Sequence, residues 1–567
     1  MRTFVDRGGT FTDVVRVNEV GELSVRKVRS DQAVVGDLAQ GELTLGTTVA
    51  TNALLERKGV KTLLVVSEGF KDLVLIRDQT RPKLFEPDAR RAAPLCDAVF
   101  EVEGHINREG EVVEALTLDE GALRRTLDEG AFESIALVLM NSHRSSLHEC
   151  MLAETLTQMV QPNTWITLGH EASPELGYLA RIETALVDAA ITPILQSSIV
   201  RDKVGRDAMA MRSDGGRCPA LELRAPDAVL SGPAGGVLAV AAIAEQAGFK
   251  RAIGLDMGGT STDVCRVEVG KLPRREGDVE VAGVYLRRPM LEVETIAAGG
   301  GSILTFDGER LRVGPHSAGA NPGPQCYGRG GPPTLSDAAL AMGLLSPDSF
   351  DPPLDPSKID LPGKAEDFVD IARESMAQAV RKIATERGVA LSDHALVSYG
   401  GAAGQHAAAV ARRLGIRTVL IHPCAALLSA WGQSLAPREE SKLQALWLPL
   451  KEVCSSLESR FETLEAKLPP LGQVTRTLSM RYEGTDHSLP LPYVRPDYEA
   501  LSDAFIQEHI QRYGFERSAA RIEVVNISVR VSAPLEALPQ SIESPWGLAQ
   551  RRIEGPERLT SATTSVW

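Results

Sequence analysis

The sequence predicts an α/β protein of two strand-and-helix lobes followed by a small α+β C-terminal domain. Three observations predict it. Apolar strand runs alternate with helical spacing from Phe4 onward, a Gly-rich Asp-to-Asp motif occurs at Asp6 and again at Asp256, and strands flank one helix near the C-terminus. The expected boundaries are 1–215, 216–440 and 441–567.

In the first lobe Phe4-Val5 leads into Asp6, Gly8 and Gly9, and Phe11 to Val17 continues as a strand. Thr47 to Lys58 has helical apolar spacing and Val60 to Val66 reads as a buried strand. Ser134 to Met140 is another strand, Leu147 to Val160 an amphipathic helix, and Trp165 to Leu168 a short strand. The polar stretch Arg201 to Pro226 is expected to cross between the lobes. The second lobe carries two Gly/Pro-rich loops, Asp307 to Pro333 and Ser346 to Gly363, of a length that points to function or motion. Beyond Ala445, Val474 to Leu491 and Arg521 to Val531 read as strands around the helix Asp497 to Tyr513.

A chain of 567 residues exceeds one hydrophobic core, and 43% hydrophobic with 24% charged residues is an ordinary globular composition. The net charge of -14 argues against a nucleic-acid partner. Seven cysteines without a C-x-x-C pair predict a reducing, cytoplasmic setting. Met1-Arg2-Thr3-Phe4 enters a strand directly, so no signal peptide is expected. The apolar run Ala228 to Ala244 is broken by Pro233 and glycines, so no membrane span is expected either.

Asp6-Arg7-Gly8-Gly9-Thr10-Phe11-Thr12-Asp13 and Asp256-Met257-Gly258-Gly259-Thr260-Ser261-Thr262-Asp263 each read as a β-hairpin with a Gly turn. Without Cβ atoms such a turn lets backbone N–H groups approach phosphate oxygens. An ordinary Gly-turn hairpin is the bland reading of one copy; two copies in equivalent contexts favour phosphate binding. Leu230 to Ala239 is a small-residue helix suited to close packing, and Ser398-Tyr399-Gly400-Gly401 a strand-to-helix turn that can take a flat adenosine.

This order of parts resembles the actin, sugar kinase and heat-shock ATPase superfamily, whose two ribonuclease-H-like lobes close on ATP. Further segments resemble the hydantoinase A/5-oxoprolinase/acetone carboxylase family. They are Gly46 to Gly59, Met211 to Gly216, Ala297 to Ser302, Gly314 to Gly331 and Pro333 to Ala338. Arg7, Arg81 to Phe85, Gly404 to Ala407 and Arg481 to Asp486 are most similar to the 5-oxoprolinases within it.

The resemblance implies an ATP-dependent cyclic amide hydrolase subunit, with ATP and Mg²⁺ as cofactors. It also implies a hydantoinase B-like second subunit as partner, and an oligomer is expected. By resemblance Asp6 and Asp256 sit at Mg²⁺, and Gly8, Gly9, Thr10, Thr12, Gly258, Gly259, Thr260 and Thr262 at phosphate. Gly400 and Gly401 sit at adenosine. Asp13, Asp263, His316 and His406 are catalytic candidates, each with a structural alternative, as hairpin caps for the aspartates and loop residues for the histidines. Asp337 is a further lining candidate, Arg212 or Arg81 a partner for a substrate carboxylate, and Cys326 a weak nucleophile candidate. An ATP-dependent ketone carboxylase subunit and a non-catalytic nucleotide-binding scaffold are the alternatives.

Overall fold

The computed structural model describes the chain apart from residues 9–10, 31–32, 81–90, 272–273, 276–277, 351, 486, 519 and 534–567. Gly9, Thr10, Arg81 to Phe85 and Asp486 therefore lie outside the described residues.

Two sheets share one topology. In the first, Leu23–Arg29, Phe11–Val17 and Arg2–Arg7 run antiparallel, followed by the parallel strands Glu42–Thr47 and Met209–Met211, with Arg217–Pro219 at the edge. In the second, Val293–Ile296, Thr262–Glu268 and Arg251–Met257 run antiparallel, followed by the parallel strands Ala395–Tyr399 and Thr418–Ile421. Counted along the chain within each sheet, both have the order third, second, first, fourth, fifth. The repeated motif is thus the first hairpin of each of two equivalent sheets.

The expected crossover is different. Met209–Met211 and Arg217–Pro219 complete the first sheet, so the boundary at 215 falls between two of its strands. Alternating strands and helices look alike in sequence whichever sheet they join, and this also hides a separate sheet within 1–215. That sheet has the order Val112–Thr117, Ala98–Ile106, Thr62–Ser67, Ser134–Val138, Trp165–Leu168, with all but the first strand parallel.

The helix Ser231–Gln246 packs between the two equivalent sheets. Its Ala234, Val237 and Val240 share a core with Phe4, Val15 and Val17 on one side and Val397 and Tyr399 on the other. A Cβ at Gly235 would overlap the Ser429 carbonyl and one at Gly432 would overlap the Gly235 carbonyl, so the small residues serve close packing against the helix Leu428–Gly432. The stretch Ala225–Gln246 is apolar enough to pass for a membrane span, with mean hydropathy 1.6, yet 72% of its most apolar 18-residue window is buried inside the protein. At the C-terminal end, Glu439–Pro449, Ile522–Ser532, Gln473–Tyr482 and Leu489–Pro492 form an antiparallel sheet covered by Leu457–Glu465 and Tyr498–Tyr513.

Candidate functional site

Strand register sets the site. Asp6 pairs with Asp13 across the first hairpin and Asp256 with Asp263 across the second. Directly paired residues place their side chains on the same face of the sheet, so each hairpin presents two carboxylates together. The two pairs also approach each other, because the charges of Asp6 and Asp13 both act on Asp256. Burial, then the Asp13 charge, push the Asp6 pKa up to about 7, with Lys27 offsetting part of the rise. Burial, then Asp263, Asp6 and Asp13, push Asp256 well above the usual carboxylate range. The Oδ1 of Asp6 is buried and has no hydrogen-bond partner. Asp6 and Asp256, buried with these neighbours, favour a bound cation or a retained proton.

The second member of each pair is held differently. Lys27 lies 2.6 Å from Asp13 Oδ1, whereas Thr295 donates its hydroxyl to Asp263 Oδ1 at 2.6 Å. Both partners follow from register, since Lys27 pairs with Asp13 and Thr295 with Asp263 on the third strand of each sheet. Sequence reasoning missed them, although alternation along the third strand carries the signal. It missed Gln433 too, whose Nε2 donates to the Val5 carbonyl at 3.2 Å while its Oε1 is buried and unpartnered. A Cβ at Gly46 would overlap this Nε2 and lie 2.9 Å from Asp6 Oδ1.

The second Gly turn is backed by the triple-glycine loop. Gly300 and Gly301 donate their N–H groups to the Gly258 and Gly259 carbonyls at 3.0 and 2.6 Å, and a Cβ at Gly299 would meet the backbone of residues 259–261. Gly258, Gly259 and Thr260 are exposed at the tip. A Cβ at Gly259 or at Gly401 would meet nothing within 4 Å, so both leave room for a ligand to approach the backbone. Gly8 and Gly258 are alike in spending their N–H groups within their own turns, on the Phe11 and Ser261 carbonyls at 3.0 and 3.1 Å.

Thr12 and Thr262, expected at phosphate, are instead buried within their sheets. Thr262 donates its hydroxyl proton to the Ala298 carbonyl, and Thr12 shares a 3.0 Å hydrogen bond with Ser30. Each sits one residue before its aspartate, where alternation turns the side chain to the opposite face. Asp337 is likewise consumed. It accepts from Thr334 N and Oγ1, Gln325 N and Cys326 N, closing a capping box and the loop before it. Cys326 is buried, and burial followed by its hydrogen bond to Asp337 pushes its thiol far up, against a nucleophilic role. Arg212 forks onto Asp214 at 3.2 and 2.7 Å and is a loop staple, not an open carboxylate receptor.

His406 is buried at the start of the helix Ala407–Leu414. Burial and the nearby Arg373 pull it down to about 4, so it is neutral at pH 7, with Nδ1 unpartnered. His316 is exposed on the strand Leu311–Ser317.

Family models match over residues 2–160 (hydantoinase/oxoprolinase N-terminal region) and 181–442 (hydantoinase/oxoprolinase). A 5-oxoprolinase of Saccharomyces cerevisiae is 32% identical over 562 residues, covering 86% of this chain and 44% of the relative. The caprolactamase subunit alpha of Pseudomonas jessenii is 30% identical over 616 residues, covering 95% of this chain and 88% of the relative. The chain spans about half the length of the 5-oxoprolinases it matches. Among solved structures, the ATP-dependent caprolactamase from Pseudomonas jessenii superposes with TM-score 0.78 at 28% identity, covering 100% of this chain and 90% of that one. A nucleotide-free acetone carboxylase superposes with TM-score 0.73 at 20% identity, over 94% of this chain and 88% of that one, a likeness of fold alone.

Proposed function

This chain belongs to the hydantoinase/oxoprolinase family, and from that premise we propose that it is the nucleotide-binding component of an ATP-dependent cyclic amide hydrolase. The observation that carries the proposal is the approach of two Asp–Asp hairpins whose carboxylates couple across two equivalent sheets. The shared strand order supports reading these sheets as ribonuclease-H-like lobes, with ATP held between them.

The residues fit a magnesium ion bound through phosphate. Among the described residues no three His, Cys, Asp or Glu side chains form a ready metal cage. Magnesium commonly takes one or two carboxylates and completes its shell with water and phosphate oxygens. Asp6, with its unpartnered buried oxygen, and Asp256 are the residues to hold it. Mg-ATP supplies a phosphoryl group for the lactam oxygen, which removes an amide resonance measured by a barrier of about 18–20 kcal/mol and lets water open the ring.

The chain's own part is positioning and charge. Gly258, Gly259 and Thr260 offer the exposed turn to phosphate, with Gly8, Gly9 and Thr10 as their counterparts, and Gly400-Gly401 the open turn to adenosine. Asp13 and Asp263, fixed by Lys27 and Thr295, orient a nucleophile or the metal's water. Neutral His406 is a candidate proton acceptor, and exposed His316 is a second. The caprolactamase relative is named as an alpha subunit, which supports a partner subunit here; we take that partner to be hydantoinase B-like and the assembly to be a cytoplasmic oligomer.

The test is a melting experiment on the purified chain. Mg-ATP, binding only the folded state, raises the melting temperature by mass action, and Asp256→Ala removes most of the shift. An unchanged curve at millimolar Mg-ATP would refute nucleotide binding.

A further inference from the structure

A pocket separate from the hairpin turns opens where three parts of the chain meet. These are the turn after the helix Val49–Leu55, the helix Leu73–Ile76 with the segment 92–95, and the hairpin of Asp278–Val281 and Val284–Arg287, which lies on the helix Tyr178–Arg201. Val74, Leu186 and Val284 make an apolar wall, and Arg57, Arg77 and Glu183 make a polar one.

Among the described residues the charges in this pocket do not balance. Glu183 is buried and fully engaged, by Arg77 Nε at 2.5 Å, Arg77 Nη2 at 3.0 Å and the Tyr285 N–H at 2.6 Å. Asp78 is engaged elsewhere, by the Tyr285 hydroxyl at 2.6 Å and Arg91 at 2.7 Å. Arg57 is left with the Ala282 carbonyl at 2.5 Å as its hydrogen-bond acceptor and, among the described residues, no carboxylate in ion-pair range. Burial, then the like charge of Arg77, disfavour its charged form, with Glu183 offsetting part of this, and a bound anion would relieve the remaining cost.

Tying down the hairpin tip is one role for these arginines, since Arg77 Nη1 also donates to the Gly283 carbonyl at 2.7 Å. That role uses one of the five N–H donors of Arg57. The backbone places these groups by ordinary means: Arg57 and Arg77 follow the ends of short helices and Ala282 opens the two-residue hairpin turn, with φ of 53°, 53° and 52°.

We propose that this pocket recognises a small carboxylate carried on a compact apolar frame, with the free edge of the Arg57 guanidinium on the carboxylate and Val74, Leu186 and Val284 against the frame. Planar guanidinium and carboxylate groups match in bidentate geometry. The ligand has two possible sources, a cyclic amide substrate that bears a carboxylate or a separate small carboxylate. The first rests on the function proposed above.

The experiment compares 5-oxoproline with 2-pyrrolidinone, the same ring without the carboxylate, by calorimetry on the full chain with Mg-ATP titrated separately. The wild type should prefer 5-oxoproline at least ~10-fold, the order of one charge-assisted contact. Arg57→Gln keeps a donor for the Ala282 carbonyl and should abolish that preference while leaving 2-pyrrolidinone and Mg-ATP binding unchanged. Arg57→Lys keeps the charge, should retain part of the preference, and guards against a folding defect in the first variant.

With a partner subunit present, a raised KM for 5-oxoproline in Arg57→Gln assigns the pocket to substrate. Lost binding with unchanged KM assigns it to a separate carboxylate. Equal affinity for the two ligands in the wild type, absence of binding by either, or a preference that survives Arg57→Gln would overturn the proposal. Failure of Mg-ATP binding alone would overturn the reading of function and leave this one standing.

Discussion

Gly400 lies directly against the carboxylate of Asp256. Its φ is +83°, and a Cβ there would overlap Asp256 Oδ1 and the Met257 carbonyl. The turn expected at adenosine and the aspartate expected at magnesium are therefore one packed unit. Gly400→Ala should destabilise the chain by about 1–3 kcal/mol from backbone strain alone, and the displaced Asp256 should lose most of the Mg-ATP stabilisation. Gly401→Ala, with open space around it, should stay within about 0.5 kcal/mol of wild type. Urea unfolding with and without Mg-ATP measures both.

The raised carboxylates predict a pH dependence. Asp6 keeps its proton in the folded state up to about pH 7, while in the unfolded chain it releases it near 3.8. The folded state thus binds more protons between these values, and stability falls as pH rises through that window. Buried His143, His394, His406 and His422, whose pKa values are lowered, contribute with the opposite sign, so the Asp6 effect is read against Asp6→Asn. Between pH 5 and pH 8 the urea midpoint of the nucleotide-free wild type should fall relative to that of the variant, and Mg²⁺ should reduce the difference. A midpoint that rises from pH 5 to 8 equally in wild type and Asp6→Asn would contradict the coupling.

Arg7 forms an ion pair with Asp202, which is 4% exposed at the end of the helix Tyr178–Arg201. Arg7→Ala leaves that carboxylate buried and unpaired, so a loss of about 3–5 kcal/mol is expected. The double variant Arg7→Leu, Asp202→Leu should recover part of it. Chemical denaturation of the three variants checks the sign.

Lobe closure gives a further expectation. If phosphate is gripped by hairpins on two sheets, Mg-ATP with a lactam should make the molecule more compact than either alone. Small-angle scattering with unchanged dimensions in every state would count against it.

Much of the site is legible in sequence for a physical reason: its central parts are local. Asp6 with Asp13 and Asp256 with Asp263 lie within single hairpins, and their repetition announces two equivalent sheets. The inward turn of Thr12 and Thr262 was also available, from alternation counted along the strand, and the Thr334-x-x-Asp337 capping box from its spacing. The separate sheet of strands 62–168 was not, because pairing partners leave no mark on an apolar run. The pocket at Arg57, Arg77, Glu183 and Val284 was hidden for the same reason. Its members come from segments more than two hundred residues apart in the chain, and only the fold leaves Arg57, among the described residues, without a carboxylate in ion-pair range.

The most direct test of the central claim combines the chain with a hydantoinase B-like partner and follows phosphate and ring-opened product from a panel of lactams, 5-oxoproline and caprolactam among them. The account predicts that one lactam is opened with one phosphate released per ring, that Asp256→Asn abolishes both, and that neither product requires bicarbonate. Ring opening that proceeds without ATP, or phosphate release that depends on bicarbonate and a ketone instead of a lactam, would contradict it.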